Sequence, residues 1–104
     1  MDNTSFSDDK LPTRPAFEQL RYASPDIAAF CQQHGFSCRY IPRGYQFSKS
    51  GVHLCWWPRG DTLRIQGRMN TRYRPSLQSE TPPVLQALQF IQRELDHEQK
   101  RLNQ

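Results

Sequence analysis

Arginine dominates the chemistry available to this 104-residue chain, and the arginines are not evenly spread. Arg39, Arg43, Arg59, Arg64, Arg68, Arg72 and Arg74, with Lys49, fall within residues 36–75, where the only acid is Asp61, so that the segment carries +7 of a chain total of +4. The flanks, residues 1–35 and 76–104, carry −2 and −1. A guanidinium is a planar fork matched to phosphate and carboxylate oxygens and able to stack on flat rings. Interleaved with these cations are Trp57, His53 and Gln66, which add a stacking platform and hydrogen-bonding edges. Holding an anionic polymer is the chemistry this set suits best.

Bond-making chemistry finds little support. His34, His53 and His97 have no serine or cysteine nucleophile in a recognisable turn beside them, and Pro58-Arg59-Gly60-Asp61 lacks the glycine spacing and following helix of a phosphate-binding loop. Cys55 lies two residues from His53 and near Arg64, which could lower a thiol pKa, but nothing completes a catalytic set. Cys31, Cys38 and Cys55 are odd in number and show no CxxC spacing, so reduced, buried thiols are expected rather than disulfides. Adding His34 and His53 to them does not give the paired short spacing of metal sites. No catalytic residue, metal or cofactor is expected, and the reading is of a non-enzyme. Nor is there an apolar run near the roughly 20 residues that cross a bilayer, or a basic start with a hydrophobic stretch at residues 1–5, so a soluble, cytoplasmic protein without a membrane partner is expected.

The elements that must position these groups follow from periodicity. Residues 1–13 are polar and aperiodic and read as a flexible arm; residues 14–104 read as one α+β domain. Phe17, Leu20 and Tyr22 anchor either a short helical turn or a strap. Ser24-Pro25-Asp26 combines a capping residue, a first-turn proline and a first-turn acid, with Gly35 as the left-handed stop, which predicts a helix from Pro25 to His34. Thr81 as cap and Pro82 as first residue predict a second helix, with Val84, Leu85, Leu88, Ile91 and Leu95 as its buried stripe. Its charged end beyond Asp96 either extends as solvated helix or frays.

Between the helices the period becomes two. A four-residue turn at Ser48-Lys49-Ser50-Gly51 would pair Phe47 with Val52 and Tyr45 with Leu54. A second at Pro58-Arg59-Gly60-Asp61 would pair Trp57 with Thr62, Trp56 with Leu63 and Leu54 with Ile65. Both hairpins place Leu54 on the same inward face. Pro42-Arg43-Gly44 is either a turn after a further strand at Cys38-Arg39-Tyr40-Ile41 or a bulged edge, so a three- or four-stranded antiparallel sheet results, with two helices packed on one face.

On this register the outward face presents Gln46, His53, Cys55, Trp57, Thr62, Arg64, Gln66 and Arg68. Trp57 would be the stacking platform, Arg64 and Arg68 the phosphate contacts, His53 and Gln66 polar edges, and Arg59, Arg72 and Arg74 a basic rim. The same face could instead meet an acidic protein surface with Trp57 as anchor, as in an inhibitor or regulator, or Trp57 could be covered by the N-terminal arm or a second copy. A homodimer stays open, through the edge strand at residues 38–41 or through the C-terminal helix.

The run Trp56-Trp57-Pro58-Arg59-Gly60-Asp61-Thr62-Leu63-Arg64-Ile65-Gln66-Gly67-Arg68 followed by a helix resembles the hairpin of the TATA-binding-protein-like domain of type III ribonuclease H, where an aromatic strand turns through Gly-Thr-Leu into one ending Gln-Gly-Lys. Asp61 is an insertion relative to that pattern, and the likeness covers about an eighth of the chain. It implies a sheet that holds an RNA/DNA hybrid through Gln66 and Arg68. The chain also resembles small phage- and plasmid-encoded accessory or inhibitor proteins, in which a helix precedes a hairpin with an aromatic-proline turn and a Gly-Arg exit.

Overall fold

Each of the three hairpin turns places a residue other than glycine at positive φ: Arg43 at 64°, Ser50 at 53° and Asp61 at 53°. Between these turns runs a four-stranded antiparallel meander in the order β1-β2-β3-β4. The strands are β1 (Ser37–Ile41), β2 (Gly44–Lys49), β3 (Val52–Trp57) and β4 (Thr62–Gly67). Ahead of the sheet come α1 (residues 15–23) and α2 (Pro25–His34), and behind it α3 (Pro83–Leu102). The computed structural model describes residues 15–69 and 73–103; the arm expected at residues 1–13 lies outside them.

The second hairpin has the expected register, with Trp57 opposite Thr62, Trp56 opposite Leu63 and Leu54 opposite Ile65. The first differs. Phe47 faces Leu54 and Tyr45 faces Trp56, because the turn consists of Ser50 and Gly51 alone, with φ of 53° and 81°. Two successive left-handed residues form the tight turn whose twist matches the strands. Ser48 and Lys49 therefore stay in β2, and the register slides by two residues. An even slide keeps every side chain on its face. Pro42-Arg43 is a turn rather than a bulge, Ile41 pairs with Gly44, and β1 is a full fourth strand.

The inner face carries Cys38, Phe47, Val52, Leu54, Trp56 and Ile65 into one buried cluster with Tyr45 and Leu63 at its margin. Helix α3 supplies Val84, Ala87, Leu88, Ile91 and Leu95, α2 supplies Ile27, Ala28 and Cys31, and α1 supplies Ala16 and Leu20. The segment around Phe17 is thus a third helix, not a strap. Truncating a residue as enclosed as Phe47 to alanine should cost about 3–5 kcal/mol.

Two helix ends depart from expectation. Ser24 occupies the cap of α2 but its side chain makes no capping bond. Helix α3 starts one residue late, with Pro82 as cap at φ −57° and ψ 145°. A residue before proline is held extended, and Pro82 precedes Pro83, so Thr81 cannot cap the helix. The charged end of α3 continues as helix to Leu102. No helix of the described residues is long and apolar enough to cross a membrane.

Candidate functional site

All three helices pack on the inner residues, so the opposite face of the sheet is free of any described element. Its side chains form cross-strand rows. One row reads Ser37, Ser48, His53, Gln66; the next reads Arg39, Gln46, Cys55, Arg64; the last holds Trp57 beside Thr62. Three strand spacings separate the first and last residues of a row, about 14 Å.

The middle of the face is polar and closely knit. Cys55 is 4% exposed yet lies outside the core cluster, because the Gln46 and Gln66 amides cover it and donate to Sγ at 3.6 and 3.5 Å. Ser48 Oγ and His53 Nδ1 share a hydrogen bond of 2.7 Å. At either end of the middle row Arg39 and Arg64 are exposed, and neither is hydrogen-bonded or ion-paired among the described residues. Two guanidinium groups, unpaired among the described residues, stand on either side of the Gln46 amide with Gln66 in the next row, a surface that can take two anionic groups and hydrogen-bond what lies between them.

Trp57 is half-buried on this face and fixed in place. Its indole N–H donates to the Pro42 carbonyl at 3.1 Å, and a Cβ at Gly44 would come within 3.0 Å of its Cδ1. Arg59 is exposed on the β3–β4 loop and Arg74 is exposed beyond β4; Arg72 lies outside the described residues. Pro58 to Asp61 form that loop, and Asp61 Oδ1 accepts the Trp56 indole N–H at 3.0 Å, so the lone acid of the basic segment serves the turn.

Arg68 does not belong to the outward face, contrary to expectation. Gly67 adopts φ 92° and redirects the chain, after which Arg68 donates Nε to Ser50 O at 3.0 Å and Nη1 to both Glu98 oxygens at 3.0 and 2.9 Å. It ties the sheet to the end of α3. Lys49, counted in the basic segment, also points inward, donating Nζ to the His34 carbonyl at 2.5 Å and to Gln92 Oε1 at 2.6 Å. Beyond β4, Met69 packs on the core and Tyr73 stacks on Phe90 with centroids 4.8 Å apart.

Arg39 was missed by sequence reasoning. Its signal was the alternation Cys38, Arg39, Tyr40, which becomes informative only once Pro42-Arg43 is known to be a turn. The thiols of Cys31 and Cys38 are pushed up from 9.0 to about 12, chiefly by burial, and form no disulfide. No family model, curated protein or solved structure matches this chain, so the site stands on its own geometry.

Proposed function

We propose that this protein is a non-enzymatic accessory protein that binds nucleic acid on the outer face of its sheet. The observation carrying this reading is the row Arg39, Gln46, Cys55, Arg64: two cations without a partner among the described residues bracket the Gln46 amide and the Cys55 thiol on a face that no described helix covers. Phosphates would sit on Arg39 and Arg64, base or sugar edges on Gln46, Gln66 and His53, with Trp57 as a stacking surface at the corner and Arg59 and Arg74 as rim. Three free thiols accord with a reducing compartment such as the cytoplasm.

Binding of a labelled oligonucleotide at two salt concentrations tests the reading. Association should weaken as salt rises, and Arg39→Glu with Arg64→Glu should abolish it, while single neutral variants should each reduce the salt slope by about 1. Binding insensitive to salt and to both arginines, or absent while an acidic protein binds the same face, would replace this reading with that of a protein-directed inhibitor or regulator.

A further inference from the structure

A second recognition feature lies at the end of the sheet where the β1–β2 and β3–β4 turns meet. A cavity of about 340 Å³ there is lined by Tyr40, Ile41, Arg43, Gly44, Tyr45 and Pro58. Tyr40 and Tyr45 are opposite one another on β1 and β2, on the inner side, where a side chain would ordinarily be covered. Tyr40 is nevertheless 50% exposed, and its only described side-chain hydrogen bond runs from its hydroxyl to the Pro15 carbonyl at 3.4 Å.

The aromatic rings form a ladder leading from solvent into the core. Tyr40 lies 5.7 Å from Tyr45 and Tyr45 stacks 5.8 Å from Trp56, so the outermost ring is backed by two others and held in orientation. Gly44 makes the floor close, since a Cβ there would meet Trp56 O at 2.4 Å. At the mouth stands Arg43, held at φ 64° on the turn and without hydrogen bond or ion pair among the described residues. Among the described residues no carboxylate lines the cavity. Burial, with Tyr40 and Cys38 nearby, raises the Tyr45 hydroxyl, which stays protonated and able to donate.

A ligand matched to these groups has a flat ring for Tyr40 and an anion for Arg43, within a volume at the low end of small-molecule pockets. We infer that this cavity is a nucleotide subsite, with the base stacked on Tyr40 and the phosphate held by Arg43. The inference rests on the nucleic-acid reading for the source of the nucleotide, which is then one unit of a bound strand rather than a free nucleotide. Trp57 stands at the same end of the sheet, tied to Pro42 of the same turn, so a strand leaving the outer face passes the cavity mouth.

The test compares wild type with Tyr40→Ala, Tyr40→Phe and Arg43→Gly, the last keeping the backbone conformation, against a short labelled single strand and against adenosine monophosphate followed by amide chemical shifts. Tyr22, 86% exposed on α1, provides a control as Tyr22→Ala. Tyr40→Ala and Arg43→Gly should each weaken strand binding about tenfold, Tyr40→Phe should retain it, and Tyr22→Ala should leave it unchanged. Wild-type strand binding that both cavity variants match to within about twofold overturns the subsite while leaving the outer-face reading intact. If no strand binds but adenosine monophosphate shifts the Gly44 and Tyr45 amides, and Arg43→Gly abolishes those shifts, the strand reading falls and the subsite stands for a free nucleotide. Silence in both assays overturns both.

Discussion

Trp57 donates its indole N–H to the Pro42 carbonyl at 3.1 Å, joining the last residue of β3 to the turn between β1 and β2. The intervening strand permits this because Gly44 has no side chain: a Cβ there would come within 2.4 Å of Trp56 O and 3.0 Å of Trp57 Cδ1. Both the orientation of Trp57 on the outer face and the floor of the tyrosine cavity therefore depend on one glycine.

Gly44→Ala should destabilise the fold by about 1–3 kcal/mol, the usual cost of forcing atoms into a closed space. The obstructing atom is backbone and cannot swing away. Trp57→Phe should cost only about 1 kcal/mol, because it removes one hydrogen bond whose acceptor is open to water. Urea unfolding midpoints of the two variants would separate the effects; equal losses would mean that the hydrogen bond, not the close approach, holds this corner.

Lys49 offers a contrast between charge that binds and charge that folds. Its ammonium meets the His34 carbonyl at the end of α2 and Gln92 Oε1 on α3, and lies 5.4 Å from the Phe36 ring centroid. A cation at a helix C-terminus is favoured by the dipole, and the two acceptors would lose their charged donor. Lys49→Met should lower stability by about 1–3 kcal/mol yet leave oligonucleotide affinity and its salt slope unchanged. A slope that falls as much as for Arg39→Ala would put Lys49 on the binding surface after all.

The parts of this arrangement that could be read from sequence are those fixed by parity. Alternation of Leu54 and Trp56 against Leu63 and Ile65, around a Pro-Arg-Gly-Asp turn, determines which residues face inward, and a two-residue slide in the first hairpin leaves that answer intact. The slide itself was hidden because Ser50 sits in the left-handed region, which its residue type does not announce. Arg68 was misplaced for a related reason: counting by twos assumes that the strand continues, and Gly67 at φ 92° ends it. Arg39 stayed invisible until β1 was established as a strand. The inward position of Lys49 was hidden because the expected four-residue turn placed it outside the strand; once it belongs to β2, parity with Phe47 turns it inward, and the carbonyl it meets belongs to a helix fifteen residues earlier.

The Arg68 and Glu98 pair should behave as a surface clasp. Their side chains are 47% and 40% exposed, so water and salt screen the attraction despite two hydrogen bonds. Glu98→Gln should lower stability by about 0.2–1 kcal/mol at low ionic strength, and high salt should shrink the difference. Arg68→Ala should lose somewhat more, since its Nε bond to Ser50 O goes as well. Neither change should alter oligonucleotide binding. Reduced binding by Arg68→Ala at unchanged stability would restore Arg68 to the site and count against the placement derived from Glu98.

Alkaline pH should expose the cost of the buried thiols. Cys31 and Cys38 sit in the core with pKa values raised from 9.0 to about 12, mainly by burial, and Cys31 is raised further by its neighbour Cys38. Below pH 9 both folded and unfolded chains keep these protons, so the thiols contribute no pH dependence. Between 9 and 12 the unfolded chain gives up protons that the folded chain retains, and stability must fall as pH rises. Tyr45, raised above its ordinary 10.0, adds to the decline at the upper end of that window. Urea midpoints measured below pH 9 and again midway through the window should show a drop in wild type. Cys31→Ala with Cys38→Ala should start from a lower midpoint, because of the cavity, but lose less of it across the same interval. An equal loss in both proteins would show that the two thiols ionise alike in the folded and unfolded chains, and would locate the alkaline sensitivity in Tyr45 or the surface.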